Sequence, residues 1–260
     1  RLATYRIIPP KPLVPGHLAT RPVWYAGRDS PLGELWTMLH PPYTLMVLSF
    51  VVMGAAISLR FSVPVLLATL AAYFLGLGVG AHFLDQISGM GSRYVRHWPD
   101  RTLWATGLAA LGVAVAIGVF GAWLVVGPGL LVFVAVQAAC AVGYPLAPIF
   151  KGAFHRDSVF AVSWGSLPFL TSFYAQSGVI TVPAVILAAA LAAVAVAEIR
   201  ISRLSRRLRR FARERDETGA GRIDPGPRLY RHPDAALQAL AAATGLLALG
   251  LVVGRLFAGA

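Results

Sequence analysis

Residues 61–85 read FSVPVLLATLAAYFLGLGVGAHFLD, an apolar run from Phe61 to Leu84 that no charged side chain interrupts until Asp85. Such a run matches the roughly 20 residues that a helix needs to cross about 30 Å of hydrocarbon. Hydrocarbon offers no partner to a free backbone N–H or C=O, so the run predicts a helix. A carboxylate closing it, with His82 three residues earlier, is costly to place and points to function.

The rest of the chain repeats the pattern. Of 260 residues 57% are hydrophobic and 13% charged, against about 25% charged in a soluble domain. Mean hydropathy is +0.67. Further apolar blocks run about Tyr43–Leu59, Leu103–Val126, Leu130–Phe150, Ser158–Gln176, Val179–Ile199 and Ala235–Leu256. The expected fold is an all-α polytopic membrane bundle of seven helices over residues 43–260. Residues 1–42 are expected to form a cytoplasmic arm with an interfacial helix. In that helix Ser30 can cap, and Leu32, Leu35, Trp36 and Leu39 make one apolar face. The arm, with Pro9, Pro10, Pro12 and Pro15, has no apolar core after a basic start and does not read as a signal peptide. VVGPGL at 125–130 predicts a tight turn.

If the spans alternate, all but Arg60 and Arg255 of the 23 Lys and Arg residues fall on one side. The positive-inside rule makes that side the cytoplasm. The net charge of +12 is then topological, with anionic lipid at the basic loop of about 200–234 as its partner. No nucleic-acid motif is present. Cys140 is the single cysteine, which leaves no disulfide framework or cysteine-based metal site.

Polar residues gather at the basic end. Asp85 and Glu198 close the second and sixth blocks, which run in the same direction and place both acids at similar depth. His82, Asp85 and Glu198 could ligate a divalent cation; alternatively the acids pair with arginines such as Arg93 or Arg200. GYPLAPIFKGAFHRD, residues 143–157, brings Tyr144, Lys151, His155 and Arg156 to the same rim. They could bind phosphate or serve as ordinary cytoplasmic charge. Asp100 and Asp157, beside Arg101 and Arg156, read as solvated loop pairs. RISRLSRRLRRFARERDE at 200–217 predicts a basic amphipathic helix lying on the inner leaflet, with Ile201, Leu204, Leu208 and Phe211 on its apolar face. A polar loop is expected to follow it to residue 234.

Several ordered segments resemble the UbiA superfamily of intramembrane prenyltransferases, nearest the branch that prenylates dihydroxynaphthoate for menaquinone. WGSLPFLTSFYAQSG (Trp164–Gly178) is similar to the family's fifth-helix pattern, and LHPPYTLMVL to its lead-in to the first helix. GYPLAPIFKG keeps Tyr144, Pro148 and Lys151 of a family loop, and HFLDQISG sits where that branch has its first Asp-rich motif. The resemblance covers about Leu39 to Arg203. It implies a bundle around a cavity in a bacterial or archaeal cell membrane, its polar rim facing the cytoplasm. It also implies Mg²⁺ on Asp-rich motifs, an isoprenoid diphosphate donor and an aromatic or quinone-precursor acceptor. Carried over residue by residue, Asp85 and Glu198 take the catalytic positions. Tyr144, Lys151 and Arg200 keep family positions at the diphosphate. The exchange of carboxylates for arginine at the rim suggests that Arg200, Arg203 and Lys151 could neutralise a diphosphate directly, with at most one metal at His82, Asp85 and Glu198.

Both motifs depart from the family pattern. Ala81 and His82 replace polar and acidic residues in the first, and Ala197, Glu198 and Ile201 alter the second. An atypical prenyltransferase is therefore one expectation. A non-catalytic protein that binds isoprenoid or quinone lipids, or a membrane-protein partner or second copy, is the other.

Overall fold

The computed structural model describes residues 23–88, 95–150, 152–217 and 226–258, with the backbone alone for 213–217, 226–229 and 258. Lys151, Arg93 and the proline-rich part of the arm lie outside the described residues. All regular structure among the described residues is helical.

α1 (Pro31–Met38) begins at Ser30, whose Oγ accepts from Gly33 N at 3.1 Å. α2 (Pro41–Ala56) follows after a bend of 46°. α3 spans Val63–Ser88, with a π-helical stretch at Phe74–Ala81. α4 spans Asp100–Val126, and α5 is Leu130–Gly143. α6 consists of consecutive segments Asp157–Phe160, Ala161–Ser166 (π) and Leu167–Ser177. α7 is Val182–Glu217 and α8 is Gly226–Ala258.

Each predicted apolar block overlaps one of the helices α2–α8. Four described helices are long and apolar enough to cross a membrane, and the bent α1–α2 pair makes a fifth. α5, at 14 residues, is shorter than the roughly 20 that a span needs. The fourth block was expected to run to Phe150, but Tyr144–Phe150 form turns. Pro145 and Pro148 lack the N–H that would continue the helix. The apolar outer faces, with Trp123, Leu124, Val182, Ile186, Leu246 and Leu249 exposed, are the surface that hydrocarbon would cover. The chain is built as an integral membrane protein.

The basic connection of about 200–234, expected as a separate amphipathic helix on the inner leaflet followed by a polar loop, is another difference. α7 continues unbroken from its apolar half into the arginine-rich half. After Pro183 it holds neither proline nor glycine, the usual causes of a sharp kink. The basic segment therefore extends the axis of the apolar helix instead of forming a separate helix along the leaflet. α8 already begins at Gly226.

α2 lies at the centre, packed by α6 and α8, with Phe50 and Val51 fully buried. Its approach to α6 depends on Gly54, where a Cβ would lie 2.3 Å from Phe169 O. Gly165 lets α6 meet α7 in the same way, a Cβ there lying 2.7 Å from Ala192 Cα. Small residues drive such contacts because lipid supplies no hydrophobic force between helices. At the end remote from the arginines, the Gln176 amide accepts from Ser62 N at 2.7 Å and donates to Ser62 O at 3.0 Å. Gly127, with φ 112, makes the predicted turn between α4 and α5.

At the basic end, the last part of the arm folds back on α1. Gly27 N donates to Thr37 Oγ1 at 2.9 Å, and Trp36 Nε1 donates to Tyr25 O at 3.0 Å. Buried Glu34 accepts from the backbone N–H groups of Arg96 and His97 at 2.9 and 3.0 Å, which ties α1 to the segment before α4.

Gly54→Ala should lower stability by about 1–3 kcal/mol through overpacking. Gly112→Ala, on α4 with nothing within 4 Å of the added Cβ, should be neutral or stabilising by up to about 1 kcal/mol. Unfolding of the purified chain in one detergent compares the two; equal losses would contradict the α2–α6 contact.

Candidate functional site

The arginines of α7 are spaced for one face. Arg203, Arg206, Arg207 and Arg210 stand at i, i+3, i+4 and i+7, so their side chains stack on a single stripe. Opposite them, α3 brings His82 and Asp85, the α1–α2 junction brings His40 and Tyr43, and the α5–α6 connection brings Tyr144 and His155. Phe160 and Trp164 of α6 complete a cavity of about 330 Å³.

The neighbouring stripe of α7 is held by α8. Ser205 Oγ donates to Asp234 Oδ1 at 2.6 Å, and Arg209 donates to Asp234 Oδ2. The Arg209 guanidinium also lies 4.0 Å from the Tyr230 ring centroid. Arg209 and Asp234 are both buried. This grip sets the rotation of α7 and turns the arginine stripe toward the cavity.

The cavity has two characters. One wall is aromatic: Phe160 and Trp164 stack at 5.1 Å with 7° between planes, and Tyr144 lies 5.1 Å from Trp164 and 4.8 Å from His155. Burial and the nearby Arg203 push the His155 imidazole below its ordinary range. The other wall is charged, with four guanidinium groups against one lining carboxylate, Asp85, among the described residues. Asp85 faces Arg206 electrostatically, and the Tyr144 hydroxyl faces Arg203. Hydrogen bonds from Arg203 and Arg200 hold the Asp157 carboxyl below the usual carboxylate range.

His40 is a further member. It is buried, takes a left-handed backbone with φ 45, and its ring lies 4.7 Å from that of His82. Tyr25 Oη is 2.6 Å from His40 Nδ1.

The sequence-predicted residues divide. His82, Asp85, Tyr144 and Arg203 line the cavity. Arg200 does not: it is 67% exposed and pairs with Asp157. Asp157 was read as a loop partner of Arg156, yet it is the carboxylate for both Arg200 and Arg203. Glu198 is 1% exposed, does not line the cavity, and its Oε2 has no hydrogen-bond partner among the described residues. It faces Tyr43 electrostatically.

The predicted metal set does not converge. Among the described residues, the donor atoms of His82, Asp85 and Glu198 do not all lie within 4.8 Å of one another; those of Asp29, Glu34 and His97 do. In that second group Glu34 is already occupied by two backbone N–H groups and His97 Nδ1. Mg²⁺ wants a near-octahedral set of oxygen ligands. One lining carboxylate among four guanidinium groups does not fit it. Sequence reasoning missed His40, Tyr43, Arg206, Arg207 and Arg210; the spacing of the three arginines with Arg203 was the available signal.

A second cavity, of about 320 Å³, lies along α3 toward the remote end. It is apolar apart from a few groups, such as Tyr73, whose hydroxyl donates to Thr171 Oγ1 at 2.7 Å, and Gln137. Leu77 lines this cavity and Ala81 the charged one, about one helical turn apart.

Asp234→Ala should destabilise the chain by about 3 kcal/mol, because it leaves Arg209 buried without its carboxylate. Asp157→Ala, at a partly exposed pair, should cost at most about 1 kcal/mol. Chemical unfolding of both variants checks the difference. No family model, curated protein or solved structure matches the chain.

Proposed function

We propose that the chain is an atypical UbiA-like intramembrane prenyltransferase. It takes an isoprenoid diphosphate as donor and an aromatic quinone precursor as acceptor. In this reading the helices form a seven-span bundle with its basic end in the cytoplasm. The observation that carries it is the charged cavity, where four guanidinium groups meet an aromatic wall at the end of membrane-length helices. Guanidinium forks suit phosphate oxygens. The adjoining apolar cavity offers room for an isoprenoid chain.

The chemistry follows from these walls. The bond between the donor's allylic carbon and the diphosphate oxygen breaks, and pyrophosphate leaves with the electron pair toward the arginines. Positive charge aimed at a developing anion is the largest single lever such a site has. The allylic cation faces Phe160, Trp164 and Tyr144, whose π faces attract cations, in a space that limits water. An acceptor ring carbon attacks, a carbon–carbon bond forms, and the ring proton passes to a base. Asp85 is the lining carboxylate that can take it.

A second reading, binding of the isoprenoid or quinone lipid without transfer, is favoured by the failure of His82, Asp85 and Glu198 to converge.

The test is pyrophosphate release and prenylated product from geranylgeranyl diphosphate and dihydroxynaphthoate, with and without Mg²⁺. Wild type should form product, and Asp85→Asn should reduce it by about 100-fold or more, as loss of a general base does. Donor binding with no release from wild type would select the second reading; neither binding nor release would overturn both.

A further inference from the structure

We propose that the charged cavity holds a phosphate-bearing head group through arginine alone, with no divalent cation. The inference deepens the reading above and rests on it for the identity of the donor. The chemistry it names is broader, a phosphate or diphosphate ester, which an anionic phospholipid headgroup could also supply.

The charge inventory carries the argument. A diphosphate bound through Mg²⁺ needs carboxylates to hold the metal. Among the described residues this cavity presents Asp85 as its one lining carboxylate, and that group already faces Arg206. Glu198 is outside the lining, and Asp157 is engaged by Arg200 and Arg203. The metal-sized donor group among the described residues lies at Asp29, Glu34 and His97. None of those three lines the cavity.

Arginine is present where metal ligands would be needed. Arg203 and Arg206 lie deeper on the stripe, half-buried, while Arg207 and Arg210 are exposed at the rim. No described carboxylate pairs with Arg207 or Arg210. The choice of residue is itself informative. Lysine occurs only at Lys11 and Lys151 in the whole chain. Topology would be served equally by lysine, whereas bidentate binding of phosphate oxygens is served by the planar guanidinium fork. The stripe also cannot simply turn away, since Asp234 fixes the adjacent face of α7 through Ser205 and Arg209.

The experiment uses the full chain in phosphatidylcholine nanodiscs, titrated with geranylgeranyl diphosphate and with inorganic pyrophosphate. Each titration is run in excess EDTA and in Mg²⁺, and a parallel set of nanodiscs contains phosphatidylglycerol. Variants are Arg206→Ala and the double variant Arg207→Ala/Arg210→Ala. The exposed rim positions of the second leave folding unaffected and keep the test open if the first misfolds.

The expected result is equal affinity in EDTA and Mg²⁺, with a loss of at least about tenfold in either variant, as removal of a charge-assisted contact gives. Affinity should fall with salt. Binding that disappears in EDTA, or that is indifferent to the arginine variants, overturns the inference and leaves the prenyltransferase reading standing. Arginine-dependent stabilisation by phosphatidylglycerol, with no binding of either diphosphate, supports metal-free capture while removing the isoprenoid donor. No binding in any arm overturns both.

Discussion

The contact between Asp234 and the Ser205–Arg209 face of α7 is what the rest of the basic end depends on. A helix turns about 100° per residue, so Ser202, Ser205 and Arg209 make one stripe and Arg203, Arg206, Arg207 and Arg210 the next. Pinning the first stripe to α8 aims the second. Without that pin, α7 beyond residue 200 would be a basic amphipathic helix free to lie on a membrane surface, the form its composition alone suggests. With it, the extension is one half of a buried helix pair, and its arginines become the wall of a cavity.

The same contact explains what could and could not be read from the chain. The apolar blocks were legible because hydrocarbon leaves a backbone no alternative to the helix. Their ends were less legible. Pro145 and Pro148 cut α5 short inside an apolar run, a local rule outweighed in the reading by hydropathy. The helix after Ile199 was legible from its spacing, but its continuity with the apolar helix was not. Arginine and glutamate are good helix formers and no glycine or proline interrupts them before Gly219, so the segment extends α7 instead of lying along the leaflet. His82, Asp85, Tyr144 and Arg203 were found because polar side chains near span ends are rare. Arg206, Arg207 and Arg210 were passed over because any one of them is explained by topology. Only their common spacing, joined to the position of α8, gives them a direction. Asp157 was discounted as the neighbour of Arg156; its partners in the fold, Arg200 and Arg203, lie more than forty residues away.

Clustering four guanidinium groups carries a cost, since like charges repel more strongly as water is excluded. The arrangement relieves this in two ways. Asp85 and Asp157 each stand near part of the cluster, and Arg207 and Arg210 remain in water at the rim. A polyvalent anion entering from that rim would relieve the remainder. Among the described residues, the balance of charge around the cavity therefore favours an anion over a divalent cation.

Two of the three π-helical segments among the described residues border this cavity, as does the left-handed His40; the third, Ala122–Val126, lies at the remote end beside the apolar cavity. π-helix is rare and recurs at functional sites. One such segment, Phe74–Ala81, ends immediately before His82, and another, Ala161–Ser166, carries Trp164. His40 is held in the left-handed region, where a non-glycine residue pays a strain of order 1–3 kcal/mol, and its ring is set against His82. A bundle selected only for stability would relax these elements into regular helix and turn. Each of them instead positions a side chain on the cavity wall, and each needs surrounding packing to persist: Tyr25 beside His40, Leu111 against Gly80, Ala192 against Gly165. Departures of this kind, held in place by the packing around them, recur at functional sites, and here two π-helical segments and His40 border the cavity that the arginines line.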